Sequence, residues 1–214
     1  MTKDDNRRPL KSRNTGWANW LTKRLAATSI TPNQISILSI PFAIISGFLF
    51  TLSADAEGGI RITFLIAAAV FCQLRLLCNL MDGLVAIEAG KSASDGPFWN
   101  EFPDRIADIA ILVGVGYAAS NPMLGWIAAT LAIFTAYIRE LGCSNGLPAD
   151  FTGPMAKPHR MAMVTLGSII ALFEPIWWSD NMVFIIVLWL VILGAILTCA
   201  RRAWRLVIQL NNKK

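Results

Sequence analysis

The stretch Ile60-Arg-Ile-Thr-Phe-Leu-Ile-Ala-Ala-Ala-Val-Phe-Cys-Gln-Leu-Arg-Leu-Leu-Cys-Asn-Leu-Met-Asp-Gly-Leu-Val-Ala86 decides the fold class. It exceeds the roughly 20 apolar residues that carry a helix across a bilayer. Yet Arg75, Asn79 and Asp82 stand in its second half at offsets of four and seven residues, one helical stripe that continues to Ala86. Ionisable groups inside a span are costly, so such a stripe faces a cavity within a bundle and marks function. The chain reads as an all-α integral membrane protein.

Composition agrees. Only 15% of the 214 residues are charged, against about a quarter in soluble domains, and mean hydropathy is +0.52. Five more apolar segments lie near 34–53, 101–119, 123–142, 161–177 and 182–204, which with 60–86 predicts six transmembrane helices. Segment two is expected to protrude as helix to about Ala89. The connections Ala54–Gly59, Gly90–Asn100, Ser120–Pro122, Gly142–His159 and Glu174–Asn181 each hold Gly, Pro, Asn or Asp. Upstream, Gly16 to Ala27 carries Trp17, Trp20, Leu21 and Leu25 on one helical face and Lys23 and Arg24 on another. That pattern suits an amphipathic helix lying in the interface, although an ordinary juxtamembrane linker would also fit. Residues 1–15 read as a disordered polar tail, 16–205 as a single membrane domain and 206–214 as a basic cytoplasmic tail. The polar, basic first thirty residues predict no cleavable signal peptide. Cys72, Cys78, Cys143 and Cys199 form no C-x-x-C pair, and the single histidine argues against a Cys/His zinc site.

Charge sets the expected orientation. Of the 19 Lys and Arg, all but Arg61, Arg75 and Arg139 fall on the tail and interfacial stretch, the second and fourth connections with their helix ends, or the C-terminus. The opposite connections offer Arg61 alone, beside Asp55, Glu57, Glu174 and Asp180. The positive-inside rule therefore places both termini and the polar centre in the cytoplasm, and explains a net charge of +5 without nucleic acid.

A second stripe, Asn100, Asp104 and Asp108, opens segment three. Antiparallel packing of segments two and three can bring Asn79, Asp82, Asn100 and Asp104 face to face. Clustered carboxylate and carboxamide oxygens suit hard divalent cations such as Mg²⁺. The same residues have a second reading as capping groups at helix ends, with Asn100 the N-cap of segment three. Gly83 beside Asp82 leaves room for a close approach. In the fourth connection, Lys157, His159 and Arg160 stand at a helix N-terminus, either as an anion site or as topology-setting charges. Arg139 is placed either to pair with Glu140 or to line the same cavity. His159 alone does not identify a base. Cation and anion sites side by side at a membrane surface point to phosphoryl transfer on a lipid.

At these residues the chain resembles the CDP-alcohol phosphotransferases, whose signature reads D-x-x-D-G-x-x-A-R-x8-G-x3-D-x3-D. Here Asn79-Leu-Met-Asp82-Gly83-Leu-Val-Ala86-Ile87 leads, at matching spacing, to Gly96, Asn100 and Asp104. Asp82, Gly83, Ala86, Gly96 and Asp104 match in identity. Two positions exchange Asp for Asn, and Ile87 replaces Arg. Thr31-Pro32-Asn33-Gln34-Ile35-Ser36 is similar to the family's opening of the first membrane helix, and Gly153…Lys157 to its basic entry into the fifth.

The resemblance implies six transmembrane helices, usually in a homodimer, around a cavity open to the cytoplasm of a bacterial inner membrane. It implies Mg²⁺ or Mn²⁺, a CDP-linked donor such as CDP-diacylglycerol, an alcohol acceptor and release of CMP. Carried over residue by residue, Asp82 and Asp104 are metal ligands with Asn79 and Asn100 as neutral ligands, and Asp104 is also the general base. Gly83, Ala86 and Gly96, with Asn79 and Asp82, bind the nucleotide. Lys157, Arg160, Arg75 and Arg139 hold phosphate or substrate. A non-catalytic relative that binds nucleotide or lipid and regulates a partner is the alternative reading.

Overall fold

The structure, a computed structural model, describes residues 15–90, 93–177 and 181–212. The expected tail before Thr15 lies outside the described residues, as do Lys91, Ser179, Asp180, Lys213 and Lys214. Among the described residues there are helices and connections and no strand. In order they are α1 (Gly16–Ala26), α2 (Pro32–Ser53), α3 (Gly58–Glu88), α4 (Gly96–Ala118), α5 (Pro122–Ser144), α6 (Lys157–Ala171), α7 (Glu174–Trp177) and α8 (Met182–Asn211).

Local chemistry sets several starts. The Thr31 hydroxyl accepts the Gln34 N–H while the Gln34 side chain accepts the Thr31 N–H, a capping box with Pro32 opening α2. The Asn121 side chain accepts the Leu124 N–H at 3.3 Å and starts α5 before Pro122.

Helices α2, α3, α5 and α8 are each long and apolar enough to cross a membrane. Helix α4 has the length, but Glu101, Asp104, Arg105 and Asp108 crowd its first half. Helix α6, at 15 residues, is only about 22 Å long, short of a hydrocarbon core of roughly 30 Å. Segment five, expected over 161–177, is broken at Leu172 and Phe173, because Pro175 has no N–H for the Ala171 carbonyl and its ring crowds that carbonyl. Segment three begins earlier than expected, at Gly96. Asn100 is thus inside α4 and is not its N-cap, a position held by Asp95. Helix α8 runs on through Asn211, so most of the expected C-terminal tail is helix.

The core draws on α2 to α6 and α8, with Phe50, Leu65, Ile111, Leu112, Met161 and Leu188 fully buried. Large apolar side chains such as Ile44, Phe48, Trp126, Leu193 and Leu197 point outward, the inverse of a soluble bundle. Glycines let three helices touch backbone to backbone. A Cβ on Gly47 would lie 2.1 Å from the Ala110 carbonyl oxygen, and one on Gly116 would lie 2.7 Å from the Gly125 Cα. Helix α1 lies against α3, burying Ala18 and Thr22 near Met81 and Val85. Leu21 and Leu25 pack in part, while Trp17 and Trp20 stay exposed.

Candidate active site

The polar stripes of α3 and α4 meet near the C-terminal end of α3. Asp104 is the hub. Its Oδ1 accepts Asn79 Nδ2 at 2.7 Å and Arg75 Nη2 at 3.2 Å, and its Oδ2 accepts the Lys157 ammonium from the first turn of α6. Arg105 Nη2 stands 3.7 Å from the same oxygen. One turn along α3, Asp82 Oδ2 accepts the Ser36 hydroxyl of α2 at 2.6 Å, and its Oδ1 accepts the Gly83 N–H. The Lys157 charge also acts on Asp82, which has no direct contact with the Asp104 hub among the hydrogen bonds and ion pairs described.

A second, deeper layer lies beneath. Asp108 Oδ2 accepts Arg160 Nη2 at 2.7 Å, and Arg75 Nη2 stands 3.7 Å from Asp108 Oδ1. Arg160 also donates to the Met155 carbonyl at 2.9 Å and to Thr135 Oγ1 at 3.3 Å. Arg202 of α8 donates to the carbonyls of Thr135 and Thr152 at 2.6 and 2.9 Å. Arg75, Asp108 and Arg160 are at most 1% exposed. Within this layer Arg75 Nε and Nη1, Asp108 Oδ1 and Arg160 Nε are buried with no hydrogen-bond partner among the described residues. Unmatched polar atoms cost free energy, so a cluster of them needs an explanation beyond packing.

The rim carries its own pairs. Arg139 is held by Glu140 at 2.9 Å and by Glu101, with its guanidinium 5.2 Å above the Phe151 ring. Behind Phe151, a cleft of about 400 Å³ lies between residues 148–152 and α8, where Asp150 and Arg205 pair at 3.3 Å. Burial pushes the Asp150 carboxyl up. The Thr152 hydroxyl and N–H, then Arg205 and Arg202, outweigh it and hold the carboxyl below the ordinary aspartate value. Asn33 Nδ2 donates to Asp95 Oδ1 at 2.9 Å, tying the start of α2 to the start of α4.

The sequence-predicted residues therefore fall into three groups. Asn79, Asp104, Arg75 and Lys157 are in direct contact, with Asp82 on the adjoining turn beside half-buried Gly83 and Ala86. Arg160 is buried against Asp108, and Arg139 is tied at the rim. Asn100 is exposed and Gly96 half-buried at the start of α4, and among the described residues no hydrogen bond or ion pair joins either to the hub. Arg139 and Glu140 form the ion pair that was one of two readings. Sequence reasoning assigned no role to Ser36, Glu101, Asp108 or Arg202. Asp108 carried a signal in its place on the α4 stripe, and Ser36 stood in the Thr31–Ser36 stretch without a role of its own.

No protein-family model matches the chain. It is 26% identical over 163 residues to the inner membrane protein YnbA of Escherichia coli, covering 76% of each chain. It is 27% identical to the archaetidylinositol phosphate synthase of Pyrococcus horikoshii over 72% of this chain and 76% of that one. It is 24% identical to the phosphatidylinositol phosphate synthase of Mycobacterium marinum over 87% and 77%. Among solved structures, the phosphatidylinositol phosphate synthase of Mycobacterium tuberculosis with manganese and citrate superposes with a TM-score of 0.72 at 21% identity, covering 87% of both chains. The same synthase with CDP-DAG bound gives 0.71 over 87% of this chain and 91% of that one. These synthases are CDP-alcohol phosphotransferase family members. The chain has their fold.

Proposed function

We propose that this chain is a CDP-alcohol phosphotransferase of phospholipid synthesis, moving the phosphatidyl group of CDP-diacylglycerol to an alcohol and releasing CMP. The observation that carries it is the Asp82–Asn79–Asp104 group beside Lys157 and Arg75, built where α3 and α4 converge in the fold of a synthase solved with CDP-DAG and with manganese. Both carboxylates are buried, and the hub already attracts an ammonium, so the oxygen donors fit a hard divalent cation, Mg²⁺ or Mn²⁺. Among the described residues no three His, Cys, Asp or Glu side chains cluster as ligands. Asp82 and Asp104 would hold the ion, with the neutral amide of Asn79 completing the set and Asn100 joining from the rim. When bound, the ion draws negative charge from the donor diphosphate.

In the reaction Asp104 takes the proton of the acceptor hydroxyl. The oxygen forms a bond to the phosphorus that bears diacylglycerol, and that phosphorus breaks its bond to the bridging oxygen, which leaves on CMP. Arg75 and Lys157 face the developing charge, and Gly83, Ala86 and Gly96 leave space for the cytidine. Arg139 serves substrate from the rim, and Arg160 supports the site from below through Asp108. Between α3 and α6, a cleft of about 520 Å³ lined by Leu65, Ile66, Val70, Leu74, Leu77 and Leu172 offers the donor's acyl chain an apolar path. The chain is a homodimer with six membrane helices, α4 and α6 completing the four apolar spans, and α1 lies in the interface. Both termini and the site face the cytoplasm. Purified protein with CDP-diacylglycerol, Mn²⁺ or Mg²⁺ and a panel of alcohols should release CMP with at least one acceptor, and silence with all of them sinks the reading. Cysteine labelling should reach positions 94 and 145 from the cytoplasm and 58 from outside. Labelling of position 94 from outside overturns the orientation.

A further inference from the structure

Asp104 and Lys157 carry an inference that rests on the transferase reading above and deepens it. We infer that Lys157 is a built-in cation that stands in for a second divalent ion, so that the site works with one metal ion per chain. Both oxygens of Asp104 are engaged by groups of the protein itself: Oδ2 by the Lys157 ammonium, Oδ1 by Arg75 at 3.2 Å and Asn79 Nδ2 at 2.7 Å. A carboxylate has about four acceptor sites, and three N–H donors leave Asp104 one, enough for a single ion and too few to bridge two. Asn79 matters in the same way. Its amide turns a donor toward Asp104, which a carboxylate at that position cannot do.

Lys157 is fixed in place. It opens α6 after an extended Ala156, with Pro158 next, and Arg160 in the same turn is clamped to Asp108 at 2.7 Å. Two basic side chains of one helical turn thus grip two carboxylates of α4, and the backbone that carries Lys157 cannot shift away from α4 without unseating the buried Arg160–Asp108 pair. Lysine is a compact point charge suited to the task.

The charge balance closes with one ion. The diphosphate of a CDP-linked donor brings two negative charges, and Asp82 and Asp104 bring two more. Asp108 and Arg160 cancel each other. One divalent ion with Lys157 and Arg75 supplies four positive charges. A second divalent ion would leave a buried excess of two, which an interior of low dielectric opposes. Mg²⁺ held by one or two carboxylates and substrate phosphates is ordinary coordination.

The test is a Mn²⁺ titration of the purified full chain in detergent with saturating CDP-glycerol, a CDP compound whose diphosphate carries the donor's two charges, bound metal being read by electron paramagnetic resonance. The unaltered protein should bind one ion per chain, and Lys157→Arg, which keeps the charge, should also bind one. Lys157→Ala should bind two. Adding Asn79→Asp to Lys157→Ala should tighten the second ion and give the spectrum of a coupled Mn²⁺ pair. Lys157→Met, with a similar stem, carries the same comparison should the alanine variant not fold, and the rise in melting temperature with CDP-glycerol reports folding in each. Two ions in the unaltered protein overturn the inference while leaving the transferase reading intact. One ion in both the Lys157→Ala and the doubly altered protein, with the CDP-glycerol shift retained, also overturns it. Absence of Mn²⁺ binding with CDP-glycerol present overturns the inference and the transferase reading together.

Discussion

Two ionic clusters sit on α3, one at its N-terminal end and one just past its middle, about 20 Å apart along the helix, and they are built differently. At the N-terminal end Arg61 Nη2 donates to Glu174 Oε2 at 2.7 Å and to Asn181 Oδ1 at 2.9 Å. Glu174 Oε1 accepts the Val183 N–H at 2.8 Å, and Asn181 Nδ2 donates to Ser120 Oγ at 2.9 Å. None of these side chains leaves a buried polar atom unmatched among the described residues. Past the middle Arg75, Asp108 and Arg160 leave four such atoms, beside an aspartate facing three cationic groups. A closed network joins elements, here α3, α7, α8 and the α4–α5 turn. An open one, with charges held against their preference for water or full pairing, is where a ligand and a reaction belong.

The comparison breaks or sharpens on substitutions in the two clusters. Asp104→Asn keeps the shape of the open cluster and removes its carboxylate, so CMP release should fall about a thousandfold or more, as befits a lost general base and metal ligand. Near-normal turnover would show that the hub is structural after all. Glu174→Gln strips the charge from the closed cluster. It should cost about 3 kcal/mol, the lower end for a broken buried pair because Arg61 is 16% exposed, and lower the melting temperature by on the order of 10 °C. Turnover of the folded protein should stay as it was, and a loss of turnover without a loss of stability would reverse the contrast. Ser36→Ala removes a charged hydrogen bond from Asp82 and should weaken metal-dependent nucleotide binding about tenfold, measured by calorimetry. The smallest effect is at the rim. A carboxyl whose value is lowered by folding stabilises above the ordinary aspartate range and loses that contribution as the pH falls through its lowered value. Protection of the amides at 149–152, corrected for the intrinsic slowing of exchange in acid, should therefore fall on acidification, a step that Asp150→Asn should lack.

Much of the bundle was legible because apolar length and polar punctuation are local signals. Segments one, two and four match α2, α3 and α5 to within two residues at each end. The break after Ala171 was not drawn, because apolar residues on either side of Phe173 continue the pattern while the restraint from Pro175 acts on the backbone alone. The stripe Arg75, Asn79, Asp82 does bring its residues to one face of α3. The α4 stripe does so only in part. Each step of four residues turns the helix about 40° past a full circle, so Asn100 has drifted well away from Asp108 and faces outward. Arg160 was read as a ligand for phosphate, and the structure pairs it with Asp108. Nothing in the order of residues tells which cation on α6 will meet which anion on α4, because that choice is made by helix packing. The part in Ser36 was hidden for the same reason: it lies on α2, remote in sequence from the aspartate it serves.

The glycine contacts distribute stiffness unevenly through the bundle. Where Gly47, Gly114, Gly116 and Gly125 bring α2, α4 and α5 together, the neighbouring atoms are backbone and have no rotamer through which to yield. The corresponding neighbours at Gly167 and Gly194 are the side chains of Val187 and Met155, which can turn aside. The wall that carries Asp104 and Asp108 is therefore the hard one, and α6, which carries Lys157, is seated on the softer contacts. A bulky lipid-linked nucleotide pressing into the site would find the aspartates on an unyielding wall, and room would come from side-chain rotamers on the α6 and α8 side, with the Arg160–Asp108 clamp kept.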